Sequence, residues 1–94
     1  MTVSPEQQFR APADVLINVV EGQSVLLNLK SERYFGLDEV GTAMWHALTT
    51  SPSLAAACER LLAEYEVDAE RLRRDLGELA SQLVDEGLLE VRSG

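Results

Sequence analysis

The chain has 94 residues, 46% of them hydrophobic, and a formal charge of -8 from sixteen acidic and eight basic side chains. That length suits one domain, and that apolar share rules out wholesale disorder. The negative charge disfavours phosphate backbones and anionic lipid surfaces, and no apolar run approaches the ~20 residues of a membrane span.

Residues 1–14 are polar, contain Pro5 and Pro12, and read as a loosely ordered arm that Phe9 can pin to the body. They lack the basic start and apolar core of a secretory signal, and Cys58 has no second cysteine to pair with, so a cytoplasmic protein is expected. Val15 to Val20 is rich in β-branched residues and predicts a first strand. Glu21-Gly22-Gln23 predicts a hairpin turn, with Gly22 free to take positive φ. Val25, Leu27 and Leu29 then alternate with Ser24, Leu26 and Asn28, the period of a half-buried second strand. Lys30-Ser31-Glu32 turns the chain again, and Tyr34-Phe35, closed by Gly36, forms a short third strand. In such a meander the first and third strands are edges. Phe35 shares parity with Leu37 and is expected in the core, with Tyr34 on the opposite face.

Asp38 is the expected N-cap of a first helix whose apolar positions are Val40, Met44 and Leu48. Ser51 or Ser53 caps a second, with Leu54, Cys58, Leu61, Leu62 and Tyr65 as its apolar face. Asp68 caps a third, striped by Leu72, Leu76, Leu79 and Leu83, with Val67 and Leu72 as a hydrophobic staple and Gly87 as the residue that ends it. Leu88 to Val91 adds a possible final strand. The expected fold is α+β: a three-stranded antiparallel sheet followed by three helices, like a winged helix-turn-helix.

No catalytic set emerges. His46 falls opposite the apolar positions of its helix, with no nucleophile or orienting partner assigned. Cys58 sits among leucines at helical spacing, where a thiol is a small buried hydrophobe rather than a nucleophile. One histidine and one cysteine do not make a zinc site, and the carboxylates lack calcium-loop spacing. The chain is therefore read as a non-enzyme without cofactor or metal. Arg71, Arg73 and Arg74 on the third helix keep open the alternative of a winged-helix DNA-binding transcription regulator, although Asp68, Glu70, Asp75 and Glu78 interleave with them. A module that dimerises through an edge strand is a third reading.

The run LLNL…YFGLDEVGTAMWHAL, then SLAAACERLLAEYEVD, then LRRDLGELASQLVDEGLL resembles the PqqD-like family of recognition elements for ribosomally made, modified peptides. The likeness is greatest to the stand-alone members of lasso-peptide biosynthesis and spans roughly residues 13–91. It implies an arm over 1–12 and a peptide-recognition domain over 13–94. It also implies that the leader of a precursor peptide adds as an antiparallel strand to the third strand, in a cleft beside the third helix. The implied partners are that leader, a leader peptidase and a separate ATP-dependent macrolactam cyclase, with no nucleic acid and no membrane. The strand wall would be Glu32, Arg33, Tyr34, Phe35 and Gly36, and the helical wall Arg71, Leu72, Asp75, Leu76 and Leu79, with Arg74 as a further charged contact. Apolar pockets between the walls would take an aromatic and a proline or leucine of the leader. The other flank of the helix presents Arg73, Gly77, Ala80 and Val84.

Overall fold

A computed structural model describes residues 4–92. In chain order it contains β1 (Gln8–Arg10), β2 (Val15–Val20), β3 (Gln23–Asn28), β4 (Arg33–Leu37), α1 (Glu39–Thr50), α2 (Leu54–Glu64), α3 (Ala69–Asp85) and β5 (Glu90–Arg92). The three strands expected from the sequence are β2, β3 and β4. They form an antiparallel sheet in that order, followed by three helices, which makes the fold α+β.

Glu21 and Gly22 both have positive φ, 53° and 82°, so the β2–β3 connection is a two-residue turn of the I′ kind, whose twist matches the strands it joins. The turn makes Val20 and Gln23 its closing hydrogen-bonded pair, and in an antiparallel ladder such pairs alternate. Parity then follows for the whole sheet. Ser24, Leu26 and Asn28 turn their backbone groups toward β4, where they pair with Leu37, Phe35 and Arg33.

Side-chain faces follow from the same register. Leu26 is fully buried and Ser24 nearly so, whereas Val25 and Leu29 are 45% and 53% exposed. The more apolar parity of β3 thus faces outward, contrary to what alternation alone suggests. The inner position opposite Leu26 and Ser24 on β4 belongs to Phe35 and Leu37, and those residues carry the packing. Ser24 is accommodated inside because its hydroxyl lies 2.7 Å from Thr42 Oγ1 on α1, satisfying both groups.

The residues expected as a loose arm include β1, which pairs with β5 and buries Phe9 to 2% exposure. Arg10 and Glu90, cross-strand neighbours in that ladder, form an ion pair. Residues 1–3 of the expected arm lie outside the described residues. The same segment serves α2, because Leu54 N and Ala55 N donate to Gln7 O and Pro5 O at 2.8 and 2.9 Å. Two of the amides left without a partner at a helix start are satisfied in this way.

All three helix caps form. Asp38, Ser53 and Asp68 accept from Gly41 N, Ala56 N and Arg71 N, so Ser53 rather than Ser51 caps α2. Tyr65 terminates α2 and is 41% exposed, instead of extending its apolar face. Val67, expected in the staple, is 49% exposed. At the far end of α3, Leu88 N bonds Leu83 O at 2.9 Å and Gly87 N bonds Val84 O at 3.1 Å, the paired bonds of a Schellman motif. Gly87 takes φ 73° there, and a Cβ on it would lie 3.3 Å from Asn28 Nδ2. Gly87→Ala is therefore expected to cost about 1–2 kcal/mol, read as a lowered midpoint in thermal unfolding; an unchanged midpoint would contradict the assigned strain.

The core joins Leu26 and Leu37 of the sheet, Met44, Trp45 and Leu48 of α1, Leu54, Cys58 and Leu61 of α2, and Leu72, Leu76, Ala80 and Leu83 of α3. His46 is exposed, as its helical position predicts. Cys58 is buried with a free thiol.

Candidate peptide-binding groove

β4 is an edge strand, and its parity decides what the edge offers. Arg33, Phe35 and Leu37 spend their backbone groups on β3, so the N–H and C=O of Tyr34 and Gly36 point to the open side. The side chain of Tyr34 is 76% exposed, and a Cβ on Gly36 would meet nothing within 4 Å. This edge carries unpaired main-chain groups with room beside them.

The C-terminal end of α3 is pinned to the start of this strand. Arg33 Nη1 lies 3.0 Å from Glu86 Oε2, and Asn28 Nδ2 donates to Gly87 O at 2.8 Å. Asn28 Oδ1 meanwhile accepts from Lys30 N and Ser31 N, so one side chain shapes the β3–β4 turn and ties it to the helix. The turn ends at Glu32, whose φ is 61° and whose N–H bonds Asn28 O.

Leu79, Asp75 and Arg71 precede Glu86 at intervals of seven, four and four residues, so they share its side of α3. The structure thus sets Arg71, Asp75 and Leu79 on one strip with Glu86, which the ion pair to Arg33 turns toward β4. Leu79 and Phe35 both pack on the core while staying half-buried, so each keeps apolar surface to offer. Leu72 and Leu76, at 7% and 0% exposure, support this strip from within the core. Arg74 is not brought to it. With Arg73, Gly77, Ser81 and Gln82 it lines a cleft of about 600 Å³ shared with Pro5, Leu54, Ala55, Glu78 and Asp85.

The charges of the strip are largely internal. Arg71 Nε and Asp75 Oδ2 are 3.9 Å apart at helical spacing and well exposed, a contact worth only about 0.3–0.5 kcal/mol. Main-chain groups and apolar surface dominate what the groove can contribute to binding. Among the described residues, no group of three His, Cys, Asp or Glu is placed to hold a metal, and no helix is long and apolar enough to cross a membrane.

Sequence reasoning missed Glu86 and Asn28. Glu86 had a usable signal, since it continues the spacing of Arg71, Asp75 and Leu79. Asn28 had none, because its partner is 59 residues away.

Residues 23–89 match the family model of coenzyme PQQ synthesis protein D (PqqD). The solved structure of TbiB1 in complex with the TbiA(beta) leader peptide is 30% identical with a TM-score of 0.81, covering 90% of this chain and 99% of that one. A lasso peptide synthetase B1 complexed with the leader peptide is 25% identical with a TM-score of 0.78, covering 88% and 98%. Among curated proteins no sequence matches the chain.

Proposed function

The chain belongs to the PqqD family, and from that premise we propose that it is a non-catalytic recognition element for the leader segment of a ribosomally made precursor peptide. The leader adds as an antiparallel strand along β4, between Glu32 and Gly36, and lies beside Arg71, Asp75 and Leu79 of α3. The observation that carries this reading is the outward-facing N–H and C=O of Tyr34 and Gly36 on a strand whose Arg33 is ion-paired with Glu86 at the end of α3. Strand addition draws affinity from main-chain bonds and selectivity from pockets for alternate side chains. Phe35 and Leu79, over the floor of Leu72 and Leu76, suit an aromatic and a proline or leucine. Arg33 sets the register at the end where Glu86 closes the groove, and Arg74 meets only a segment of peptide that reaches past the crest of α3.

Both structural relatives were solved with leader peptides, which supports the same occupant here. In this reading the protein acts in the cytoplasm without a cofactor. It presents the leader to a separate leader peptidase and a separate ATP-dependent macrolactam cyclase in lasso-peptide maturation.

Fluorescence polarisation with the labelled leader of the precursor encoded beside this gene tests the proposal. The expected result is saturable binding that changes little with salt, because few ion pairs are involved. A DNA-binding regulator would behave oppositely, losing about 10³–10⁵ in affinity over a few-fold rise in salt. Absence of saturable leader binding, or DNA retardation with that salt dependence, would refute the proposed role.

A further inference from the structure

The sheet has a second edge that the leader-binding reading does not use. By the parity that turns Tyr34 and Gly36 outward on β4, the N–H and C=O groups of Ile17 and Val19 and the C=O of Val15 point away from β3 along the free side of β2, while Val15 N–H bonds Pro12 O at 3.0 Å and closes that end of the edge. Every residue of β2 after Val15 is exposed, with Leu16 at 54%, Ile17 at 42%, Val19 at 54% and Val20 at 61%. Folded proteins ordinarily blunt such an edge with lysine, proline, an inward charge or a bulge. β4 carries Arg33, but β2 has no charged residue and no proline, and its ladder to β3 is unbroken over six residues. An edge so regular and apolar, in a chain of which 26% is charged, is built to be covered.

We propose that the occupant is a second copy of this chain, joined β2 to β2 in antiparallel fashion about a twofold axis. The strand is self-complementary. With Ile17 opposite Ile17 of the second copy, Val15 faces Val19 and Asp14 faces Val20. With Asn18 opposite Asn18, Ile17 faces Val19 and Val15 faces Glu21. Neither register sets a charge against a like charge, and both join the outward-facing amides of Ile17 and Val19. The pairing yields a continuous six-stranded sheet with the two β4 edges at its far ends, so each copy keeps its groove free.

A strand edge alone is smaller than the standard interface of about 1,600 Å², so the dimer is of the weak, exchanging class. Each copy carries a charge of -8, and the two repel. Raising salt from about 0.1 M to about 1 M shortens the screening length from about 10 Å to about 3 Å. Self-association should therefore strengthen with salt, whereas docking of a basic partner would weaken.

Sedimentation analysis from about 10 μM to about 1 mM protein is expected to show mass rising from 10.3 kDa toward twice that value, more so at high salt. Ile17→Pro removes an outward N–H that the fold does not use, and proline is tolerated at such positions. It should raise the dissociation constant tenfold or more while circular dichroism and the thermal midpoint stay unchanged. Val19→Lys, at an exposed site, should act alike if Ile17→Pro perturbs folding. A mass of 10.3 kDa throughout, a dimer indifferent to both substitutions, or one that weakens with salt would each overturn the proposal. The readout is mass and uses no leader peptide, so its failure would leave the reading of β4 standing.

Discussion

Tyr34→Pro is expected to weaken leader binding by at least tenfold while leaving the thermal midpoint close to that of the unsubstituted protein. The selectivity of the effect comes from parity. Tyr34 pairs with Leu27 at a position where β4 turns its N–H away from β3, so proline removes no bond of the native sheet. It does remove a donor that an added strand needs, and its ring occupies space where that strand approaches. Loss of one main-chain bond and the attendant mismatch amounts to about 1.4–3 kcal/mol, or roughly 10–150-fold in affinity. Phe35→Pro is the internal contrast. Its N–H belongs to the ladder with Leu26, so that substitution should lower stability as well. Leader affinity that survives Tyr34→Pro in a folded protein would rule out strand addition at β4, whatever else the peptide touches.

Leu76→Ala carries the largest expected effect on stability. Leu76 is fully buried in the core shared by the sheet and the three helices, and truncating such a leucine costs about 2–5 kcal/mol through lost transfer energy and the cavity left behind. For a domain of this size that lowers the thermal midpoint by more than about 10 °C, a large share of a stability of about 5–15 kcal/mol. Leu79, three residues on, is half-buried on the core's edge, and its truncation to alanine removes apolar surface from the proposed groove. That truncation should lower the midpoint far less and reduce leader affinity more. The pair separates the floor of the groove from its wall. Equal effects of the two substitutions on stability, with no difference in binding, would show that α3 does not present Leu79 to the peptide.

Much of this arrangement was readable in the chain because its signals are local. Asp38, Asp68 and Gly87 mark helix ends through bonds made within a few residues, so sequence proximity suffices to predict them. The Glu21-Gly22 turn likewise declares itself through the φ values it demands. The parity of Tyr34 against Phe35 follows from the pleat alone. The three arginines of α3 were legible as residues but not as a surface. Arg71 pairs with Asp75 along its own side of α3, whereas Arg73 and Arg74 line a cleft with Pro5 and Leu54. Helical spacing places residues relative to one another and leaves the rotation of the whole helix open.

The amino-acid sequence by itself determined the order of strands and helices, the caps that bound them, and an aromatic strand with a free edge. Those are consequences of dihedral preference, periodicity and bonds spanning a few residues. Only the tertiary structure decided three things. The first is which face of β3 is inside, because the register with β4 outweighs the hydrophobicity of Val25. The second is that residues 8–10 form a strand, since β1 exists through pairing with β5 at the other end of the chain. The third is how the C-terminal end of α3 is tied to the sheet, through Arg33–Glu86 and Asn28–Gly87, contacts spanning 53 and 59 residues. Such contacts leave no periodic trace, and they arise only when the packed core brings the two segments together.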